Sequence, residues 1–344
     1  MRHIKHTFII IGLVLITQMS FGQDVHFSQY YNAPLLLNPA MTGLISEDLR
    51  VSTNYRNQWG TVTAPYETMA VSADFSILKG FLYDDFVGVG LMIMNDKAGD
   101  LNLRNTQAQL SLSYSKALNG DGTQYITAGV QGGVVQQAFD ANALLFDSQF
   151  NGSIIDPSIN SGEVIDRPNF FYGDLSAGLA WYYVPSDDYS FYFGIAMAHL
   201  NRPNISFDSS EEDRLKSRTT VHAGMEFPFT ESLSFVPQIV LINQGPHTET
   251  TVGSLLKFSA HPDYGQDYKQ TAVYIGSMFR LGDAIIPMLR FDFNEFSVTA
   301  SYDVNTSTLS NASRGNGGFE LSLAYRQYLF DSPGQNGPVG CPTF

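Results

Sequence analysis

A catalytic base would most readily come from histidine, and beyond residue 22 the sequence has five: His26, His199, His222, His247 and His261. His222 shares one face of a predicted strand with Thr220 and Glu226, so a nucleophile, a base and an acid stand in one row. No histidine lies in a recognisable catalytic motif, and a hydrated wall residue is the simpler interpretation of His222. We therefore expect that the protein is not an enzyme.

Acidic residues cluster at Glu211 to Asp213 and at Ser186 to Asp188, where their oxygen atoms could hold calcium. Solvated loop tips explain both clusters, and Gly120 to Thr123 has the composition of a tight turn rather than of half an EF-hand. The single cysteine, Cys341, is an inert tail residue or the site of an intermolecular bridge or modification. We expect no metal and no cofactor.

Most of the sequence alternates apolar and polar residues, with clusters of turn-forming residues between the alternating segments. In Gly317 to Arg326, for example, Phe319 and Leu321 alternate with Glu320 and Ser322. This period indicates a strand with one apolar and one polar face. The apolar face would meet a protein core in a soluble β-sandwich and lipid in an outer-membrane barrel, whose polar side chains line the lumen.

The first 22 residues are typical of a secretory signal peptide, with basic Arg2 and Lys5, an apolar run from Phe8 to Ile16 and small residues before Gln23. As a membrane anchor the run would be far shorter than the roughly 20 residues that span a bilayer. Removal of this segment, which has two bases and no acids, changes the formal net charge from −14 to −16. Nucleic acid is therefore an unfavourable partner.

Because no long apolar run follows residue 22, a membrane location requires a closed barrel. The alternating segments predict an all-β protein, an outer-membrane antiparallel β-barrel of about 14 strands at residues 49–328. Short connections at one end and long ones at the other, such as Ala138 to Gly173 and Asn201 to Arg218, favour the barrel. Aromatic residues near strand ends fit an interfacial girdle or ordinary enrichment in strands. Residues 23–48 and 329–344 are irregular extensions, expected in the periplasm or in the lumen.

Three stretches resemble the PorP/SprF proteins of the type IX secretion and gliding-motility apparatus. They are FSQYYNAPLLLNPAMTG at Phe27 to Gly43, the run from Asp283 to Arg326, and the ending CPTF. The resemblance is specific at both ends of the chain and vague from about Asp140 to Pro246. The family provides no catalytic residues, and its motif positions carry structural roles first. They are Asn32, Pro34, Asn38, Pro39, Pro287, Asp303, Asn311, Gly318 and Glu320.

The resemblance implies a Sec-exported protein of the cell outer membrane in a Bacteroidota-type organism. It would work with type IX secretion components, bind the type-B C-terminal domain of a secreted surface adhesin, and support export or cell-surface attachment of that adhesin. Aromatic residues of the outside loops would make the contact: Phe139, Phe146, Phe150, Phe170 and Phe171.

Two questions stay open from the sequence. A passive porin-like channel for small solutes is the competing function, and its lumen would be open to water. The opening segment would either plug the barrel or contact a periplasmic partner. We expect Glu320 and Arg326, on the polar face of the last strand, to anchor a terminal segment folded into the lumen.

Overall fold

The structure of the chain is a computed structural model, and it describes residues 24–60, 64–82, 84–163, 165–186, 189–259, 271–308 and 310–329. The predicted signal peptide at 1–22, His261, Cys341 and nearly all of the predicted tail at 329–344 lie outside these residues. Within the described part of the chain, no helix is long and apolar enough to cross a membrane.

Fourteen antiparallel strands form a closed barrel in which each strand pairs with its neighbours in the sequence, and the last strand pairs with the first. This confirms the predicted fold class. The strands are β1 (Leu49–Gln58), β2 (Tyr66–Leu82), β3 (Asp85–Ala98), β4 (Leu103–Ala117), β5 (Gln124–Ala138), β6 (Asn169–Ser186), β7 (Tyr189–Ala198), β8 (Arg218–Thr230), β9 (Leu233–Gln244), β10 (His247–Ser259), β11 (Thr271–Arg280), β12 (Ala284–Phe293), β13 (Phe296–Asn305) and β14 (Asn316–Gln327).

The apolar faces of the strands point outwards and the polar faces point into the barrel. On β4, Leu110 and Leu112 are 64% and 54% exposed, whereas Ser111 and Ser113 are 1% and 4% exposed. This inversion of a soluble protein's pattern is what a wall between lipid and lumen requires. The alternation in the sequence therefore marks the outer wall of a barrel and not the inside of a sandwich.

The two ends of the barrel differ in their connections. The end with the long segments 139–168 and 199–217 is here named the loop end. The opposite end, where β1 begins at Leu49 and β14 ends at Gln327, is named the turn end. Several strands are longer than the sequence predicted. The predicted strands Tyr66 to Ser76 and Asp174 to Val184 correspond to β2, which continues to Leu82, and β6, which begins at Asn169, because pairing with the neighbouring strands extends beyond the alternating core of each segment.

Residues 24–48, here named the lumen segment, run through the barrel from the loop end to the turn end. Asp24 bonds to Gln244 at the loop end, and the amide of Asp48 donates to Gln327 at the turn end. Three short helices fold the segment between these points: Tyr30–Asn32, Pro34–Leu37 and Pro39–Met41. The apolar core of the molecule lies here, between the lumen segment and inward-facing side chains of the wall. It includes Tyr30, Tyr31, Leu37, Met41, Leu44, Phe86, Tyr125, Tyr182, Leu255, Met278 and Ile286.

Candidate functional site

The lumen segment is held near its beginning by two buried carboxylates. Glu320 on β14 accepts hydrogen bonds from the backbone amides of Ser28 and Gln29, at 2.8 and 2.9 Å. Asp303 on β13 accepts the hydroxyl of Ser28 at 2.8 Å. Hydrogen bonds to ionised acceptors are stronger than those to neutral acceptors, so these contacts fix the position of the lumen segment along the barrel axis. Arg326, the other charged residue of β14, donates to Ser297 near the turn end.

Two buried arginines compensate these carboxylates. Arg56 on β1 lies 2.9 Å from Asp303 and 3.8 Å from Glu320, and it also donates to the carbonyl of His26. Arg280 on β11 lies 3.0 Å from Asp303 and donates to the Ser28 hydroxyl at 2.7 Å. Buried charges are costly unless they are paired, so removal of any member would leave an uncompensated charge.

A second charged clamp holds the lumen segment closer to the turn end. Arg50 on β1 donates two hydrogen bonds to Asp74 on β2, at 3.0 and 2.8 Å, and a third to the carbonyl of Met41. Asp74 also accepts the amide of Gly43, which has a positive φ of 65°. Since positive φ is readily adopted only by glycine, this turn depends on Gly43.

Asn38 joins the middle of the segment to the wall. Its side-chain oxygen accepts the amide of Ala40, and its nitrogen donates to the carbonyl of Leu179 at 3.0 Å and lies 3.0 Å from Nε2 of His222. Asn38 is extended, with φ −160°, as expected of a residue before proline. His222 therefore contacts the lumen segment through Asn38.

The row of possible catalytic residues does not assemble into a triad. His222 faces Asn38, and Glu226 forms an ion pair with Lys257 at 2.6 Å. Among the described residues, no group of three or more His, Cys, Asp or Glu side chains could hold a metal ion.

Glycines on the inner wall allow the lumen segment to approach the strands closely. A Cβ atom at Gly129 on β5 would lie 2.4 Å from the backbone of Pro39 and Ala40, and one at Gly178 on β6 would lie 2.0 Å from the side chain of Asn38. A Cβ at Gly88 on β3 would lie 2.1 Å from the carbonyl of Thr42. Gly88 and Gly129 therefore allow close approach of a second backbone, and Gly178 makes room for the side chain of Asn38.

The first residues of the lumen segment are held at the loop end by polar contacts. His199 lies between two carboxylates, with Nε2 2.5 Å from Asp24 and Nδ1 2.8 Å from Asp174. Burial lowers the pKa of His199, but hydrogen bonds with Asp174 and Asp24 raise it to about 9. The imidazolium therefore bridges the lumen segment and the wall at neutral pH. Asp24 has a second cationic neighbour, Arg218, at 3.6 Å.

A small cavity lies beside His199, between the lumen segment and strands β3 to β8. Amide side chains of Gln107, Gln109 and Gln131 line it on the wall side, and Leu36, Leu37 and Pro39 of the lumen segment line it on the other. The lumen segment thus forms one boundary of the cavity.

The two long connections at the loop end pack against each other. Phe207 lies between Phe139 and Phe170, with ring centroids 4.7 and 5.4 Å away. Asp166 accepts two hydrogen bonds from Ser209, and the amide of Arg167 donates to the carbonyl of Phe207. Segments 139–168 and 199–217 are therefore one unit, here named the loop platform.

The five phenylalanines predicted to contact a partner do not share one surface. Phe170 on β6 is buried against Phe207 of the platform, and Phe139 and Phe146 are half-buried. Phe150 is 55% exposed on the platform, and Phe171 is 65% exposed on the outer wall. Successive residues of a strand point to opposite faces, which is why Phe170 and Phe171 separate.

The remaining motif positions have structural surroundings. Asn32 donates to the side chain of Gln29, Pro34 begins a short helix, and Asn311 lies in the turn of helix Ser310–Ser313. Pro287 faces outwards where the pairing of β12 with β13 is interrupted, since proline has no amide to donate. Gly318 packs against Gln58.

The sequence did not identify the arginines that bind the lumen segment or the inner-wall glycines that leave room for it. Arg56 and Arg280 stand at buried, inward positions of their strands. Arg56 is in phase with polar residues of β1, whereas Arg280 is in phase with Tyr274 and Met278 of β11. A charged residue at such a position was the signal that could have identified them.

Comparison with known proteins gives a family and several barrels. The family model described as type IX secretion system membrane protein PorP/SprF matches residues 19–325. A search of curated proteins gave no match. Among solved structures, the toluene transporter TbuX of Ralstonia pickettii is 11% identical, with 87% of this chain and 94% of that chain covered and a TM-score of 0.48. A FadL homologue of Pseudomonas aeruginosa is 13% identical, with 84% and 92% covered and a TM-score of 0.43. At these scores the structural likenesses carry no inference about this chain.

Proposed function

The chain belongs to the PorP/SprF family of type IX secretion system membrane proteins, and from this premise we propose that it is a non-enzymatic docking barrel. It binds the type-B C-terminal domain of a secreted adhesin and supports export or cell-surface attachment of that adhesin. Its partners are the adhesin and other components of the secretion and gliding machinery.

The filled lumen carries this proposal. Residues 24–48 are anchored to β13 and β14 through Ser28, to β6 through Asn38, and to β2 through Gly43. A porin keeps a water-filled lumen, and solute flow through this barrel would require displacement of the segment from all of these contacts. A sealed barrel that presents a folded loop platform is suited to holding a partner.

The wall and the family support a location in the outer membrane. An apolar exterior with a polar interior fits the outer membrane, and we place the loop end outside the cell, where long loops of outer-membrane barrels lie. Residues 1–22 are then a signal peptide removed during export in a Bacteroidota-type organism.

Affinity purification from native outer membranes tests the docking function. The tagged protein should bring down a large surface adhesin, identified by mass spectrometry. A variant with residues 141–165 replaced by a short Gly-Ser linker keeps the strand ends at Ala138 and Asn169, and it should lose the adhesin while it remains a heat-resistant folded barrel.

Conductance in a planar bilayer tests the competing porin. The intact protein should show no steady current, and a variant lacking residues 24–45 should conduct, which proves that the assay detects an open lumen. A steady current through the intact protein, together with no recovered adhesin, would refute docking and establish a porin.

A further inference from the structure

One part of the loop platform is a short hairpin with exposed apolar side chains. Phe150 and Ile155 form an antiparallel bridge, and the residues between them make a turn in which the amide of Asn151 donates to the carbonyl of Ile154 at 3.0 Å. Phe150, Ile154 and Ile155 are 55%, 64% and 40% exposed. We name residues 150–155 the apolar tip.

Hydrogen bonds within the apolar tip and at its base order its backbone. The Asn151 side chain accepts the amides of Ser153 and Ile154, both at 3.1 Å. At the base of the tip, buried Gln149 donates to the carbonyl of Ile159 and accepts the amide of Phe146. Three large apolar side chains are therefore presented in a fixed arrangement, which lowers the ordering cost of binding.

The wall explains exposed apolar residues on the strands, but not those of the tip. Leu110 is as exposed as Ile154, yet Leu110 lies on β4 where lipid covers the barrel. The tip belongs to the segment between the end of β5 at Ala138 and the start of β6 at Asn169.

The charge of the segment that includes the tip indicates which partner would cover it. Segment 139–168 has five acidic residues and one basic residue, Arg167, which lies over the ring of Phe170. Asp140, Asp147 and Glu163 are exposed. An acidic lipid surface would be repelled, whereas a protein surface with an apolar patch and a basic rim is complementary.

We propose that the apolar tip is the anchor by which the loop platform holds a folded protein domain, through an apolar patch of that domain surrounded by lysine and arginine. This deepens the docking function and rests on it. Phe150, Ile154 and Ile155 make the contact, and the packing of Phe139 and Phe170 against Phe207 holds the two segments of the platform together.

The test uses the full chain, expressed in place of the natural protein, and measures the adhesin recovered per barrel. The combined substitution Phe150→Ser, Ile154→Ser and Ile155→Thr should lower recovery by at least about tenfold. Leu281→Ser is the matched control, because Leu281 is 62% exposed in another connection at the loop end. It should leave recovery unchanged.

Charge is tested on the same material. Asp147→Asn with Glu163→Gln should weaken recovery and reduce its sensitivity to about 0.5 M salt. A photo-crosslinker at position 154 should label the adhesin, and a crosslinker at Leu112 should label lipid.

The outcomes separate the two proposals. Full recovery with the tip variant, or labelling of lipid alone from position 154, overturns the tip as anchor and leaves docking standing. Absence of the adhesin with the unsubstituted protein refutes docking, and the tip proposal falls with it. Equal loss with Leu281→Ser would mean that the loop end responds to any polar substitution, which also overturns the tip proposal.

Discussion

Glu320→Gln should loosen the beginning of the lumen segment while the barrel stays closed. The carboxylate accepts two backbone amides, from Ser28 and Gln29, in a site where Glu320 is 1% exposed. A glutamine of the same shape has one oxygen to accept one amide, and its NH₂ group would face the other amide, which then loses its partner. Arg56 keeps its ion pair with Asp303.

The magnitude follows from these contacts. A hydrogen bond to a charged acceptor contributes about 1.5–3 kcal/mol and a neutral one about 1 kcal/mol, so the loss of one bond and the weakening of the other costs about 3 kcal/mol. Since about 1.4 kcal/mol corresponds to a factor of ten, hydrogen exchange at the amides of Ser28 and Gln29 should accelerate about 100-fold. Exchange measured by mass spectrometry on peptides covering residues 26–31 checks this.

Glu226→Gln is the matched control, since Glu226 is another buried lumen-facing carboxylate but pairs with Lys257 on the wall. It should leave exchange at residues 26–31 unchanged. Equal acceleration in both variants would show general loosening of the barrel, and no acceleration in Glu320→Gln would show that the carboxylate does not anchor the segment. Either result refutes the reasoning.

Gly129→Val should displace the lumen segment, because its Cβ would lie 2.4 Å from the segment's backbone; single-channel recording should detect new current, and Gly120→Ala, with nothing within 4 Å, should stay silent. The pKa of His199, which lies between Asp24 and Asp174, is raised to about 9. The stability that these contacts contribute is therefore complete below the unfolded pKa of about 6.5 and is lost as the pH rises through about 9. The fall in melting temperature from about pH 6 to about pH 10 should be smaller in His199→Gln than in the unsubstituted protein, and identical falls would refute a stabilising role of these contacts. Phe207→Ala removes a half-buried ring worth about 1–2 kcal/mol from the platform; hydrogen exchange should rise in segments 139–168 and 199–217, and protection equal to that of the unsubstituted protein would contradict their coupling.

Local patterns in the sequence were sufficient to predict the strands of the barrel wall. Alternation such as that of Leu110 to Ser113 depends only on the two-residue period of a strand, so it predicted the strands and their two faces without reference to other parts of the chain. The closed barrel followed from the lengths of the connections and from the lack of a long apolar run after residue 22. The identity of the family was also readable, because FSQYYNAPLLLNPAMTG and the late core are contiguous stretches.

The site needed contacts between residues far apart in the chain. Ser28 meets Glu320 only because β14 closes on β1, and Gly129 meets Pro39 only because the lumen segment folds back through the barrel. The same holds for Phe170, which looked like a partner contact until packing against Phe207 buried it. The sequence by itself determined a barrel wall with two faces, since the pattern of each strand is local. The tertiary structure decided that the barrel is filled and which side chains remain for a partner, because burial and pairing in the lumen depend on how the closed wall and the segment inside it meet.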